Sequence, residues 1–366
     1  MALSWREVSQ QLVANARSMR TPISAAFELT SRCNLRCKMC YVSVPVDRPD
    51  IEARELSAKD WITLAEQARD AGVLYITLTG GEVFIRKDFR EIYEAISSMG
   101  FITQIYTNGT LITPDIAKWL GKIPPLLVSI TIYGSSADTY DKVCGDKEGF
   151  SRVLKGIKLL RQEGINLELK TTAVKGNWKE FDAIGAIARE NEAVYGVVNY
   201  ISPRREGYGN DPLGERLTPQ EVVEHDAIRV AYNKKNHKEP VHIANDEYGE
   251  SLIKSISEPE QNDNDAFLCQ AGKSGFWMTW DGRMTPCGLM NEPSVYPMRQ
   301  GFNVAWEELK EYCRKIPACL ECHDCEYESE CYYCPARLKL ETGAYDKAAP
   351  YLCEIAKLRK NIKITV

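Results

Sequence analysis

From about Thr21 to Ser202 the chain alternates between two periods of apolar and polar residues, and each change of period marks an element. Short runs rich in β-branched and aromatic residues predict six strands: SAAFEL (24–29), VLYITL (73–78), FITQIY (101–106), LLVSITI (126–132), NLELKTTAV (166–174) and VYGVVNYI (194–201). Between them, AKDWITLAEQARDAG, FREIYEAISSMG and FSRVLKGIKLLRQEG space apolar residues three and four apart, as a helix with one buried face requires. Gly72, Gly100 and Gly164 stand where these helices should stop. Strand, helix, strand in this order predicts an α/β fold with a parallel sheet and right-handed crossovers. Six such units make either a complete small sheet or an open, partial (βα)6 barrel, and chemistry in such folds gathers at the carboxyl ends of the strands.

The flanks read differently. Residues 1–20 predict a polar helix without the apolar stretch of a secretory signal. Residues 21–202 are the barrel. Residues 203–267 form a polar bridging segment. Within it RREGYGNDPLGER predicts a loop, TPQEVVEHDAIRVAYNKKN a helix opened by Thr218 and Pro219, and SEPEQNDNDA a linker. Residues 268–366 hold nine of the thirteen cysteines and predict a second domain.

A length of 366 residues fits about two domains, and 44% apolar content supports a sizeable core. A net charge of −5 gives no nucleic-acid footprint. No apolar run reaches the roughly 18 residues of a transmembrane helix, so a cytoplasmic, membrane-free protein is expected. In a reducing compartment thirteen cysteines, an odd number, argue against a disulfide framework and for metal.

Cys33, Cys37 and Cys40, in CNLRCKMC, directly follow the first predicted strand. Three thiolates so close together can hold an iron–sulfur cluster while leaving one iron without a protein ligand, open to a small molecule. The competing uses are a zinc site and a run of inert buried thiols. Zinc sites usually pair C-x2-C and close with a fourth ligand, whereas here the first gap is three residues and no Cys or His follows nearby. After the second strand, TGGEVFI supplies Gly80 and Gly81, whose backbone can approach a ligand, and Glu82, an acceptor for a cationic amine. TNG (107–109) places Asn108 at the third strand end. Ser129 and Thr131 share one face of the fourth strand, and Lys170 and Thr172 one face of the fifth. Polar groups inside a barrel need partners, so these are candidate contacts to a sugar or carboxylate, with a Lys170 that snorkels to the rim as the alternative. Cys144 is read as a loop residue after the fourth strand, either an idle buried thiol or a hydrogen donor.

In the tail, Cys269 is followed after twelve residues by G-x4-C ending at Cys287, then by Cys322-x2-Cys325-x5-Cys331-x2-Cys334 and by Cys353. A zinc tetrahedron of Cys322, Cys325, Cys331 and Cys334 would orphan Cys269, Cys287 and Cys353. Iron–sulfur chemistry uses them all.

Together these motifs resemble the radical S-adenosylmethionine (SAM) superfamily, with a tail similar to its SPASM extension. The resemblance implies a 4Fe–4S cluster on Cys33, Cys37 and Cys40, with SAM chelating the open iron and being cleaved to a 5′-deoxyadenosyl radical. It implies SAM contacts at Met39, Tyr41, Gly80, Gly81, Glu82, Asn108, Ser129 and Lys170. It also implies two auxiliary 4Fe–4S clusters, the outer one on Cys322, Cys325, Cys331 and Cys353 and the inner one on Cys269, Cys287 and Cys334. Cys313 and Cys319 are spare thiols for the missing inner ligand, with an open iron as the other possibility. Two positions depart from the family pattern: Met39 replaces the aromatic residue usual before the third cysteine, and Val83 replaces the proline usual after GGE. Cys334 is also preceded by two residues rather than three. The activity implied is that of a maturase acting on a peptide or protein, which installs a thioether or carbon–carbon crosslink or oxidises a side chain, as in formylglycine formation. A small-molecule enzyme of a tetrapyrrole or cofactor pathway is the alternative. A flavodoxin or ferredoxin would be the electron donor. Because only about twenty residues precede the first strand, a leader-binding domain is not expected. Either a separate protein presents the peptide, or it binds at the barrel mouth and the 203–265 segment.

Overall fold

The computed structural model describes residues 5–42, 44–205, 211–235, 242–243 and 266–362. Most of the predicted 203–267 bridge, including all but the last residue of the SEPEQNDNDA linker, lies outside the described residues.

After α1 (Trp5–Met19), β1 (Ser24–Glu28) leads through the cysteine loop to α2 (Ala58–Asp70). The units β2 (Tyr75–Thr79), α3 (Phe89–Ser98), β3 (Ile102–Thr107), α4 (Pro114–Lys122) and β4 (Leu127–Thr131) follow. Then come α5 (Ala137–Cys144), α6 (Gly149–Gln162), β5 (Leu167–Thr172), α7 (Phe181–Glu190) and β6 (Val194–Val198). The bridge contributes α8 (Pro219–Lys235) and the two-residue β7 (His242–Ile243). The tail contributes β8 (Gly275–Met278), β9 (Met284–Thr285), α9 (Phe302–Arg314), α10 (Pro335–Thr342) and α11 (Pro350–Ile362). The predicted strands and helices all form, trimmed by a few residues at their ends.

The helices form for local reasons. Ser57 caps α2, accepting from the Asp60 amide while the Asp60 carboxylate accepts from the Ser57 amide. The helix then buries Trp61, Leu64, Ala65 and Ala68, one face at helical spacing, and Trp61 meets Phe27 of β1 at 5.2 Å between ring centroids. Gly72, Gly100 and Gly164 all adopt positive φ just past helix ends, a backbone state that costs glycine no Cβ clash.

The strands lie in the order β9-β8-β1-β2-β3-β4-β5-β6-β7, every pair parallel except β8–β9. Among the described residues the two ends of the sheet do not pair, which leaves the barrel open. One strand face packs on the helices: Phe27, Ile76, Leu78, Ile105, Val128, Ile130 and Leu169 are all buried there. The other face, carrying Glu28, Thr79, Tyr106, Ser129, Glu168 and Lys170, lines a polar lumen.

Two differences from the sequence reading concern the tail. Residues 268–366 are expected as a second domain, and their strand β8 pairs with β1 from Ser24 with Gly275 to Phe27 with Met278. This pairing satisfies a strand edge that β1 would otherwise leave open. The bridge helix α8 is likewise tied to the tail by the buried pair Asp226–Arg359, 2.8 Å.

His225 on α8 is fully buried, edge-on to Phe181 and 3.4 Å from the Asn199 amide. Burial lowers its pKa to about 4 from an ordinary 6.5. Between those values the unfolded chain takes up a proton that the folded chain refuses, so stability falls as pH drops from about 6.5 to about 4, by about 3 kcal/mol in the limit. In His225→Gln, urea midpoints measured across this range should lose that part of the slope. An unchanged slope would contradict the assignment.

Candidate active site

The cysteine loop leaves β1 at its carboxyl end and has little regular structure, so its neighbours fix it. Its entry is clamped first. Arg32 makes two bonds to the Glu55 carboxylate, 2.9 and 3.0 Å, and Thr30 Oγ1 donates to the same group. Gly81 and Glu82 donate their amides to the carbonyls of Thr30 and Arg32 at 2.7 and 2.9 Å. A Cβ at Gly81 would stand 2.2 Å from the Arg32 carbonyl oxygen, and one at Gly80 2.4 Å from that of Thr30. Both glycines thus lie in close approach to the chain's own backbone, where two parallel strand ends meet.

The middle of the loop docks on α5. Arg36 and Lys38 donate their amides to the carbonyls of Cys144 and Val143 at 3.1 and 3.0 Å. These carbonyls end a helix and have no partner within it, so the loop satisfies them. Cys144 is thus the last helical residue rather than a loop residue, because Ser136 caps the helix start and Gly145 its left-handed end. Its thiol is fully buried and donates to the Tyr140 carbonyl at 3.0 Å. Cys37 sits against it: a hydrogen bond to Cys144, then burial, push the Cys37 thiol well up.

The third anchor is the turn after β3. Asn108 Nδ2 donates to Asn34 Oδ1 at 2.9 Å and lies 3.7 Å from Cys33 Sγ, while Asn34 Nδ2 donates to Thr110 Oγ1 at 2.9 Å. Glu82 organises this turn. Fully buried, it accepts from Thr107 Oγ1 at 2.8 and 2.9 Å, the Asn108 amide at 2.7 Å and the Phe84 amide at 3.1 Å. Burial raises its pKa, against the pull of those neutral donors. Burial and the Glu82 charge in turn push the Cys33 thiol up. Met39 is buried in the loop, and Tyr41 is partly buried just past Cys40.

Deeper in the lumen, neighbouring strands align Tyr106 with Ser129 and Ser129 with Glu168. Ser129 Oγ donates to Glu168 Oε2, and Lys170 Nζ stands 2.9 Å from the same oxygen and 3.0 Å from Tyr106 Oη. Burial works against the Lys170 charge, but Tyr106 and Glu168 outweigh it and hold its pKa up. Lys170 therefore points into the lumen and does not snorkel away. Glu168 Oε1, fully buried, has no hydrogen-bond partner. The alternation in NLELKTT places Glu168 on the Lys170 face and could have disclosed it. Tyr106 carried a similar signal in FITQIY.

Residues 27–184 match the family model described as the Radical SAM superfamily. The segment that carries the cysteine loop is a radical SAM domain. The chain is 28% identical over 351 residues to the AdoMet-dependent heme synthase of Methanosarcina barkeri, a match covering 90% of this chain and 96% of that protein. It is 27% identical over 273 residues to the sporulation killing factor maturation protein SkfB of Bacillus subtilis, covering 74% of this chain and 62% of that one. The fold resembles that of Streptococcus suis SuiB bound to its precursor peptide SuiA, with a TM-score of 0.72, 18% identity, and coverage of 95% and 80%.

A radical SAM enzyme needs a 4Fe–4S cluster and SAM, and the donor set here fits both. Cys33, Cys37 and Cys40 stand on one loop outside any disulfide, and Glu168 Oε1 in the lumen has no hydrogen-bond partner. Among the described residues, no three His, Cys, Asp or Glu side chains are placed to share a single metal ion. A cube of four irons makes a different demand, since each thiolate serves its own iron.

The tail thiols fall into two groups. Cys269, Cys287 and Cys334 border the main core, and burial followed by the charges of Cys334 and Cys269 pushes Cys287 up. Cys319, Cys322 and Cys331 share a small separate core with Leu338, Ala349 and Leu352. Burial raises Cys331 to about 11, with Cys353 and Cys325 adding to the effect. Of the two spare thiols, Cys319 thus stands with the outer group. Cys313 is buried on α9 against Gly272, three residues past Cys269.

Arg205 links barrel and tail, and no sequence signal marked it. Its guanidinium grips Glu28 of β1 with two 2.9 Å bonds, donates to the Gly288 carbonyl at 3.0 Å, and lies 5.7 Å from the Tyr41 ring centroid. Trp277 of β8 donates to Glu28 at 2.7 Å. Both charges are buried, so removing one strands the other. Arg205→Met should lower unfolding stability by about 3–5 kcal/mol, and Glu28→Gln added to it should recover part of the loss. Additive losses in a denaturant double-mutant cycle would show that the pair is not coupled in this way.

Proposed function

We propose that this chain is a radical SAM peptide maturase, which removes a hydrogen atom from a side chain of a peptide or protein and leaves a thioether or carbon–carbon crosslink or an oxidised residue. The observation that carries this reading is the inner thiol group of the tail, bridged by Arg205 to the cysteine loop. Arg205 touches Tyr41 just after Cys40, and its charge also pulls on the Cys287 thiol. A crosslink or side-chain oxidation takes two electrons from the substrate. One leaves with the hydrogen atom, and the second needs an acceptor close to the barrel. Cys269, Cys287 and Cys334 would hold that acceptor, and Cys33, Cys37 and Cys40 the cluster that binds SAM. Bound there, the cluster and SAM supply the 5′-deoxyadenosyl radical. Lys170, Ser129 and Glu168 orient polar groups in the lumen, and the apolar strand face behind them keeps water out. The maturation protein SkfB and the peptide-bound SuiB support a peptide substrate.

A second reading is favoured by the match that runs across 96% of the heme synthase, which makes a tetrapyrrole the substrate. The same residues would serve it.

Anaerobically reconstituted protein with dithionite and SAM should release 5′-deoxyadenosine, and Cys33→Ala, Cys37→Ala or Cys40→Ala should reduce this to background. Deuterium from labelled peptides encoded beside this gene should enter the 5′-deoxyadenosine. Transfer only from a deuterated porphyrin would select the second reading. Metal analysis should give about twelve irons per chain for three clusters. One or two zincs with no iron would overturn both readings.

A further inference from the structure

A 4Fe–4S cluster takes four protein thiolates at most, one per iron. The outer region of the tail offers five thiols. Cys319, Cys322 and Cys331 lie in one small core. Cys325 follows Cys322 on the same turn, its amide donating to the Cys322 carbonyl at 3.3 Å. Cys353 is on α11, one turn past Ala349 of that core, to whose carbonyl its amide donates at 3.0 Å. The family pattern uses Cys322, Cys325, Cys331 and Cys353, which leaves Cys319 over.

Its position gives it a use. Cys319 and Cys322 are both buried, and their sulfurs are 2.8 Å apart. That separation exceeds the roughly 2.05 Å of a disulfide, and both are free thiols. The amides of Cys322 and His323 both donate to the Cys319 carbonyl at 3.0 Å, so one tight turn stacks the two side chains on the same face. Thiolates on different irons of a cube point outward from different corners. Two sulfurs this close address one corner, and only one of them can occupy it.

We propose that Cys319 is an alternative thiolate for the iron corner otherwise served by Cys322, so that the outer site has five donors for four positions. The site then tolerates the loss of either thiol of this C-x2-C pair but of neither Cys325, Cys331 nor Cys353. The proposal rests on the reading that the tail binds iron–sulfur clusters.

The test uses the full chain, reconstituted anaerobically, with iron and sulfide counted per chain and the reduced clusters followed by electron paramagnetic resonance. Cys319→Ala and Cys322→Ala should each keep the unmodified iron count, with a changed outer-cluster signal in Cys322→Ala alone. The double variant, and Cys331→Ala as the reference for an indispensable donor, should each lose about four irons. Retention of the other eight or so irons reports that these chains still fold. Loss of four irons in Cys322→Ala alone would overturn the proposal, as would full retention in the double variant. An unmodified chain with only about four irons would overturn the underlying reading itself, a result separable from either variant outcome.

Discussion

The site depends on holding an irregular loop still. Three sulfurs must be presented from the segment after β1, and a segment without its own hydrogen-bond ladder has high conformational entropy to lose. Its backbone is fixed from outside. The Arg36 and Lys38 amides enter the end of α5, Glu55 holds Arg32 and Thr30, and Asn108 and Thr110 hold Asn34. These anchors come from different units of the barrel. The sheet must therefore be assembled in order before the loop has one position, and the helix gains partners for carbonyls it would otherwise leave bare.

The second constraint is charge in a dry place. Burial pushes up the Cys33, Cys269 and Cys287 thiols and the Glu82 carboxyl, and a hydrogen bond to Cys144, then burial, push up Cys37. A metal ligand must be a thiolate, and a bound cation reverses the effect of burial by supplying the missing positive charge. Without metal these groups favour the neutral form, and metal held by such thiols would ionise them, which would link metal loading to folding. Where the chain provides its own countercharge it does so in closed pairs, Arg205 with Glu28 and Lys170 with Glu168, each inside the barrel or at its seam with the tail.

The strand–helix order, the helix ends and the three-cysteine motif were legible because each rests on local chemistry. Apolar spacing selects the element, glycine permits the left-handed stop, and thiol spacing sets what a short loop can chelate. Glu82 was legible as an acceptor, but its hydrogen bonds to Thr107 and Asn108 were not, because those residues lie one strand further along the sheet. Cys144 was misplaced for a similar reason. The capping bond of Ser136 to the Thr139 amide, which starts its helix, was not recognised in GSSADTY. Arg205 left no trace in its local sequence, since SPRREG carries neither apolar periodicity nor a recognisable motif.

By itself, the amino-acid sequence determined the barrel units, their order and the inventory of thiols, since these follow from interactions among residues close in the chain. Tertiary structure alone decided that β8 of the tail completes the edge of β1, that Arg205 closes on Glu28, and that Cys319 and Cys322 share a core apart from Cys269, Cys287 and Cys334. The pairings across the sheet and from bridge to barrel join residues far apart in sequence. Hydrogen bonding and burial select among such partners only once the intervening chain has folded, and no local pattern encodes which of many equivalent donors will be the neighbour.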